Sequence, residues 1–183
     1  LPNTILVPFS PESELSGIRR RKGPSDVLIY RRSFVLPEGF HRGRVLLHFG
    51  AVDLMATVSV NGRECGTHRG GYWPFTYDIT DLLREKNVIE VVAEDDGAES
   101  NLDARGKQSM KPGGIWYTAQ SGIWQTVWLE SVPEEYITGL KVTPLFDEEA
   151  VRIEIQTNVP GKCLIHLDGM IYAAAAGTPV HVP

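Results

Sequence analysis

The chain has 183 residues, 42% of them hydrophobic and 22% charged, which is enough to bury one sizeable core and part of a second. Its 18 Lys and Arg against 23 Asp and Glu give a net charge of -5, without the basic excess that binding to nucleic-acid phosphates requires. No apolar run is long enough to cross a bilayer, so we expect neither nucleic acid nor a membrane as a partner.

The chain begins LPNTILVPFS, without an initiator Met and without the charged and apolar regions of a signal peptide. We therefore expect a processed or cut piece of a longer protein. The localisation of that parent stays open between a periplasmic or secreted site, which is slightly favoured, and the cytoplasm.

Strand patterns dominate the chain. Short β-branched or aromatic runs bounded by Gly, Pro, Asn or Asp recur from VLIYRRSFVLP to KCLIHLDG, and this spacing predicts an all-β sandwich or barrel. In the predicted strand MATVSV, the residues Ala56, Val58 and Val60 alternate with polar residues, which predicts one face in the core and one face exposed to solvent. The Asn61-Gly62 step that follows predicts a type I′ hairpin turn. The only helical candidate is DITDLLREKN, where Thr80 or Asp81 could cap a short turn.

About thirty residues after Glu94 show no period, and so long a connection is usually functional. They include four acidic residues that could form a glycosidase pair or a calcium site, although solvated charge is the better interpretation: Asp95, Asp96, Glu99 and Asp103.

The remaining residues give no sign of a metal or cofactor. Cys65 and Cys163 are far apart and are expected to be free thiols, and the five histidines have no ligand spacing. His48 is predicted to lie on the polar face of its strand. We expect no metal site, no cofactor and no catalytic residue of a common hydrolase motif.

Plain alternating strands begin near Val132. We predict one domain over residues 1–132 and a second over 133–183. The second has about half of the ~100 residues of an immunoglobulin-like sandwich, so we expect it to be incomplete.

The stretch GGIWYTAQSGIWQTVWLE holds three of the four tryptophans. Trp124 and Trp128 are four apart, so on one continuous strand they would share a face, and both faces of that strand read as largely apolar. We predict a structural role for them, either in a central strand covered on both sides or in a strand with one face covered by a neighbouring domain. Trp116 and Tyr117 follow two glycines in the long connection, where they could stack on a sugar or anchor the loop at an interface. For Trp73, a rim position that packs the entry to the Phe75 strand is favoured over a ligand contact, which stays open.

Several segments together resemble the N-terminal sugar-binding domain of glycoside hydrolase family 2, the β-galactosidase and β-glucuronidase family. They span about Pro8 to Val132 and include RVLLHFGAVDLMATVSVNGRECGTHRGGYWPFTYDITDLL and GGIWYTAQSGIWQTVWLESV. The resemblance implies a jelly-roll, galactose-binding-like sandwich, followed by the start of an immunoglobulin-like sandwich. It also implies a catalytic (β/α)8 barrel in the parent chain, which these 183 residues lack, so the piece itself should be inactive.

By the same resemblance, the domain packs on that barrel and its long loop reaches the sugar pocket. Relatives keep an Asp on this loop six residues before a Gly that corresponds to Gly122, where this chain has Trp116. The implied partners are a β-linked sugar or oligosaccharide and the barrel of the same parent, and a homo-oligomer is left open. The candidate substrate-binding residues are Trp116, Tyr117, Arg105, Lys107, Gln108 and Trp73. The alternatives are an independent carbohydrate-binding module and a purely structural or assembly domain.

Overall fold

A computed structural model describes residues 4–95, 103, 104 and 106–183. The chain divides into two compact units, Leu1–Ser131 and Val132–Pro183. In the described residues the regular structure consists of β-strands and three short 3₁₀ turns, Glu14–Ser16, Thr80–Leu82 and Phe146–Glu148. The all-β prediction is confirmed. In that same part of the chain, no helix has the length and apolar character needed to cross a membrane.

The first unit is built on two larger sheets and two short strand pairs. A four-stranded sheet has the order β1-β7-β4-β5, and a three-stranded sheet has the order β11-β2-β6, while β10 pairs with β3 and β8 with β9. The strands are β1 (Val27–Phe34), β2 (Arg44–Phe49), β3 (Val52–Asp53), β4 (Met55–Val60), β5 (Arg63–Arg69), β6 (Phe75–Asp78), β7 (Asn87–Glu94), β8 (Gln108–Ser109), β9 (Tyr117–Thr118), β10 (Gly122–Ile123) and β11 (Val127–Val132).

Alternating residues from the two larger sheets form one core. Ala56, Val58 and Val60 of β4 are fully buried, as their alternation predicted, and they share this core with Val45 and Leu47 of β2. Because each strand sends every second side chain inward, the outward residues of both sheets remain available for other contacts. This is the β-sandwich expected from the sequence.

The turn between β4 and β5 is fixed by its own residues and by a buried amide. Asn61 and Gly62 have φ angles of 54° and 78°, as the predicted type I′ turn requires. The amide of Asn87, which is 1% exposed, accepts hydrogen bonds from Asn61 Nδ2 at 2.9 Å and from the Arg84 N–H at 2.8 Å. It also donates to the Arg84 carbonyl at 2.8 Å. Asn87 therefore ties the hairpin turn to the start of β7.

The second unit has two small sheets around its own core. One sheet has the order β12-β13-β16 and the other is the hairpin β14-β15, with buried Ile153, Ile155 and Ile165 between them. Leu140 and Val142 of β12 pair with Ile155 and Ile153 yet are 65% and 52% exposed. This part of the apolar face of β12 is therefore exposed among the described residues. The strands are β12 (Ile137–Leu145), β13 (Ala150–Thr157), β14 (Lys162–Leu167), β15 (Met170–Ala175) and β16 (Val180–Val182).

Two local predictions were wrong. The Trp-rich strand is not continuous, because residues 124–126 separate β10 from β11, and Trp128 is 44% exposed, so the strand is not covered on both sides by the described residues. Cover of one face by a neighbouring domain stays a prediction. The turn Thr80–Leu82 begins after Ile79 without a side-chain cap. The Thr80 hydroxyl is used elsewhere, since it accepts the Val45 N–H at 2.9 Å and donates to Asp78. Cys65 and Cys163 are free, as expected.

We expect Asn87→Ala to destabilise the first unit by about 2 kcal/mol, because the buried partners of the amide lose their hydrogen bonds without gaining water. Urea unfolding followed by tryptophan fluorescence measures this unit alone, since all four tryptophans lie in it. Gln120→Ala, which shortens an exposed amide, is the control. Equal midpoints for the two variants would show that the Asn87 network contributes nothing.

An exposed aromatic edge as candidate functional site

The step Ser121–Gly122–Ile123 anchors the end of the long connection in the sandwich. The Ser121 hydroxyl donates to Glu12 Oε1 at 2.8 Å, and the Ile123 N–H donates to the Tyr30 hydroxyl at 3.3 Å. Gly122 has φ 74°, and a Cβ there would overlap the Tyr30 hydroxyl. Only glycine therefore fits this position, which fixes the path of the chain on both sides of it.

Trp124, directly after this anchor, holds the connection between β5 and β6. Its indole N–H donates to the Gly71 carbonyl at 2.7 Å, and its ring meets Tyr72 edge-on with centroids 5.9 Å apart. A Cβ on Gly71 would overlap the carboxylate of Asp53, so the connection lies close against the sandwich. These contacts set the direction in which the next residue, Trp73, leaves the fold.

The described part of the long connection packs on the same place. Arg69 makes two hydrogen bonds to the Asp103 carboxylate, at 2.6 and 3.3 Å. A Cβ on Gly106 would lie 3.4 Å from the Tyr72 hydroxyl. The carbonyl of the next residue, Lys107, accepts the Tyr117 N–H at 2.8 Å, which starts the parallel pairing of β8 with β9. Residues 106 and 107 therefore link the two aromatic segments.

A tight turn presents the second aromatic segment to solvent. Gly113 and Trp116 exchange backbone hydrogen bonds of 3.0 and 3.1 Å, and Gly114 has φ 60°. The turn leaves Trp116 43% and Tyr117 72% exposed, while Trp73 on the first segment is 72% exposed. We call the surface formed by Tyr72, Trp73, Trp116 and Tyr117 the aromatic edge.

The predicted polar candidates have different surroundings. Lys107 is exposed beside Tyr117, while the Gln108 side chain accepts the Gln120 N–H at 2.6 Å and so serves the loop's own structure. Arg105, like Asp96 and Glu99, lies outside the described residues. A sugar-binding role for Trp73, Trp116, Tyr117, Lys107 and Gln108 stays a prediction.

Sequence reasoning missed the contributions of Tyr72 and of the Arg69–Asp103 pair. Tyr72 stands beside Trp73 in the sequence, so the doubled aromatic was a usable signal. No local sequence pattern predicts that Arg69 pairs with Asp103, which lies 34 residues later in the chain.

The edge is an open surface. The hollow behind the turn has a volume of about 180 Å³ that includes open solvent, so it is a shallow depression rather than an enclosed ligand pocket. It is lined by Arg21, Lys22, Ser109, Met110, Pro112, Thr118 and Ala119. Among the described residues, no group of three His, Cys, Asp or Glu side chains could hold a metal ion. What the edge can do is stack flat apolar faces of a ligand or partner on its rings.

The fold and this edge define the chain as a β-sandwich domain with aromatic residues displayed on its connecting loops. The family model described as glycosyl hydrolase 2 galactose-binding domain-like matches residues 21–125. The chain belongs to this family, which confirms the resemblance seen in its sequence.

Named relatives are glycosidases. The chain is 31% identical over 136 residues to the β-galactosidase of Thermoanaerobacter pseudethanolicus, covering 73% of this chain and 18% of that protein. It is 26% identical over 162 residues to the β-glucuronidase of Homo sapiens, covering 76% and 24%. The solved Faecalibacterium prausnitzii β-glucuronidase matches with a TM-score of 0.65 at 25% identity, covering 98% of this chain and 35% of that one. The chain therefore spans a minor part of each relative's length.

The Tyr30 hydroxyl at the Gly122 anchor makes the free energy of unfolding depend on pH in the alkaline range. Burial, reinforced by the nearby Glu12 charge, raises the pKa of Tyr30 from 10.0 to about 12, although the hydrogen bond from Ile123 opposes part of this rise. Between these two values the folded state keeps a proton that the unfolded chain releases. Stability must therefore fall as the pH rises through this range.

The free energy of unfolding of the native chain, relative to that of Tyr30→Phe, should fall by about 2 kcal/mol between about pH 10 and pH 12. Urea unfolding followed by circular dichroism at several pH values measures it. Tyr117→Phe, which removes an exposed hydroxyl, is the matched control. A gap between native and Tyr30→Phe that is constant with pH would contradict this role of the buried phenol.

Proposed function

We propose that this chain is the non-catalytic N-terminal region of a β-galactosidase-like glycosidase. In this proposal it packs on the catalytic domain of its parent and supplies one wall of the cleft that binds a β-linked sugar. The aromatic edge carries the proposal, because its four rings stand on two segments that residues 106 and 107 link, and they are left 43–72% exposed. The small fraction of each relative that the chain covers supports a catalytic machinery located elsewhere in the parent.

The open form of the edge favours a wall over a complete site. Sugar sites combine aromatic platforms with convergent polar groups that fix orientation. At this edge the Gln108 amide oxygen is used within the loop and the Asp103 carboxylate is held by Arg69. Lys107 is the remaining exposed polar candidate described beside the rings. The missing polar groups would come from the catalytic domain.

Trp116 bears on which sugar is bound. The family resemblance implies a carboxylate at this position in relatives, whereas the indole of Trp116 cannot accept hydrogen bonds from sugar hydroxyls. It can stack on the apolar face of the ring instead. We infer that the parent recognises its sugar on this side by stacking, which leaves the distinction between galactosides and glucuronides to the catalytic domain.

In the parent enzyme, we expect Trp116→Ala to lower kcat/KM for aryl β-glycosides by roughly fivefold, since a lost stacking contact costs about 1 kcal/mol. Ile29→Ala is the control, because Ile29 is an exposed apolar residue of β1 rather than of the edge. An unchanged kcat/KM in a folded Trp116→Ala enzyme would remove Trp116 from the cleft.

The main alternative is an independent carbohydrate-binding module, which the exposure of the rings also favours. The 183-residue chain alone separates the two functions. As a wall, it should neither hydrolyse p-nitrophenyl β-galactoside or β-glucuronide nor shift its Trp73 and Trp116 indole NMR signals when these sugars are added. Saturable shifts of these two signals would favour the module, and hydrolysis would overturn both functions.

A further inference from the structure

A second aromatic surface lies on the outer face of the three-stranded sheet. It contains His48 of β2, on which Trp128 stacks. Both ring nitrogens of His48 are engaged, Nδ1 with the Thr76 hydroxyl at 2.8 Å and Nε2 with Glu130 Oε2 at 3.0 Å. The side chain is 15% exposed. Partners on both neighbouring strands therefore hold the imidazole in one orientation.

Trp128 lies on this imidazole. The two rings are stacked, with centroids 4.8 Å apart and planes 14° from parallel. Trp128 is nevertheless 44% exposed. An aromatic ring with one face on a fixed imidazole and much of its area in water is a rigid platform, because the sheet and the hydrogen-bonded histidine have already restricted its motion.

Polar groups lie on the same face as this ring. Glu130 is 53% exposed at the side-chain level, and farther along the same face Arg44 contacts Asp78 at 3.3 Å, each 37% exposed. Burial alone would raise the pKa of Asp78, but hydrogen bonds from Thr80 and the Arg44 guanidinium outweigh it and hold the pKa below its ordinary value. From His48 to Arg44 the strand spans about 13 Å. The surface thus offers one flat ring and a row of charged hydrogen-bonding groups.

We propose that this surface, the Trp128 platform, is a second binding site that takes a neutral β-linked oligosaccharide. The apolar face of one sugar ring would stack on Trp128, and its hydroxyls would donate to Glu130. The next ring would reach the Arg44–Asp78 pair. A rigid aromatic ring with a few hydrogen-bonding groups on the same face combines a stacking platform with polar groups that fix orientation, which is the combination that sugar sites use.

Charge selects the kind of sugar. Glu130 and Asp78 place two carboxylates on the face against the single guanidinium of Arg44. A uronate would bring a further negative charge close to these carboxylates and would be repelled. The platform therefore prefers neutral sugars, independently of what the aromatic edge contacts.

The test is a titration of the ¹⁵N-labelled 183-residue chain with β-1,4-galactotetraose and, separately, with tetragalacturonate. Four tryptophans give four indole signals, which single substitutions assign. We expect galactotetraose to shift the Trp128 signal saturably. Calorimetry should show binding roughly tenfold weaker in Trp128→Ala and largely kept in Trp128→Phe, which retains a stacking ring. Tetragalacturonate should bind more weakly.

Three results would overturn the proposal: a Trp128 signal that does not move, galactotetraose affinity unchanged in folded Trp128→Ala, or tetragalacturonate binding as tightly as the neutral sugar. A Trp128 signal that moves with protein concentration in the absence of sugar would indicate self-association of the chain and would also overturn it. The Trp73 and Trp116 signals report on the aromatic edge in the same spectra. Failure of the platform is therefore distinguishable from failure of the proposed cleft wall.

Discussion

The close approach of Gly122 to the Tyr30 hydroxyl is the constraint on which the functional surfaces depend. The phenol occupies the space that any side chain at position 122 would need, and it accepts the next backbone N–H. Because this contact is buried in the sandwich, it fixes where the long connection returns to the fold. Trp124 then reaches the Gly71 carbonyl, so one contact sets the position of two loops.

The sequence predicted those features whose conformation depends on neighbouring residues alone, such as a tight turn and the two faces of a strand. The Asn61-Gly62 turn needs positive φ angles that those two residues supply, and the alternation of Ala56, Val58 and Val60 needs only a strand with one face in the core. The same parity rule was wrong for Trp124 and Trp128, since it assumes an unbroken strand. The strand breaks where the indole of Trp124 bonds to Gly71, and sequence spacing does not encode that distant carbonyl.

The candidate site was predictable to the same extent. Gly113 and Gly114 signalled a turn that would leave Trp116 and Tyr117 outside the core, and both are exposed. Sequence could not separate the exposed amine of Lys107 from the Gln108 amide, whose oxygen caps a backbone N–H twelve residues away. A polar residue's availability for a ligand depends on such partners, and these appear only once the chain is folded.

The two aromatic surfaces differ in the elements that carry them, and this difference bears on what each can bind. Trp73 and Trp116 stand on loops held by a few hydrogen bonds, so their positions can adjust when another domain packs against them. Trp128 stands on a strand and lies on an imidazole bonded at both nitrogens, so its geometry is set before any ligand arrives. An adjustable surface suits a wall that a partner completes, whereas a fixed ring among charged groups can bind a sugar without one.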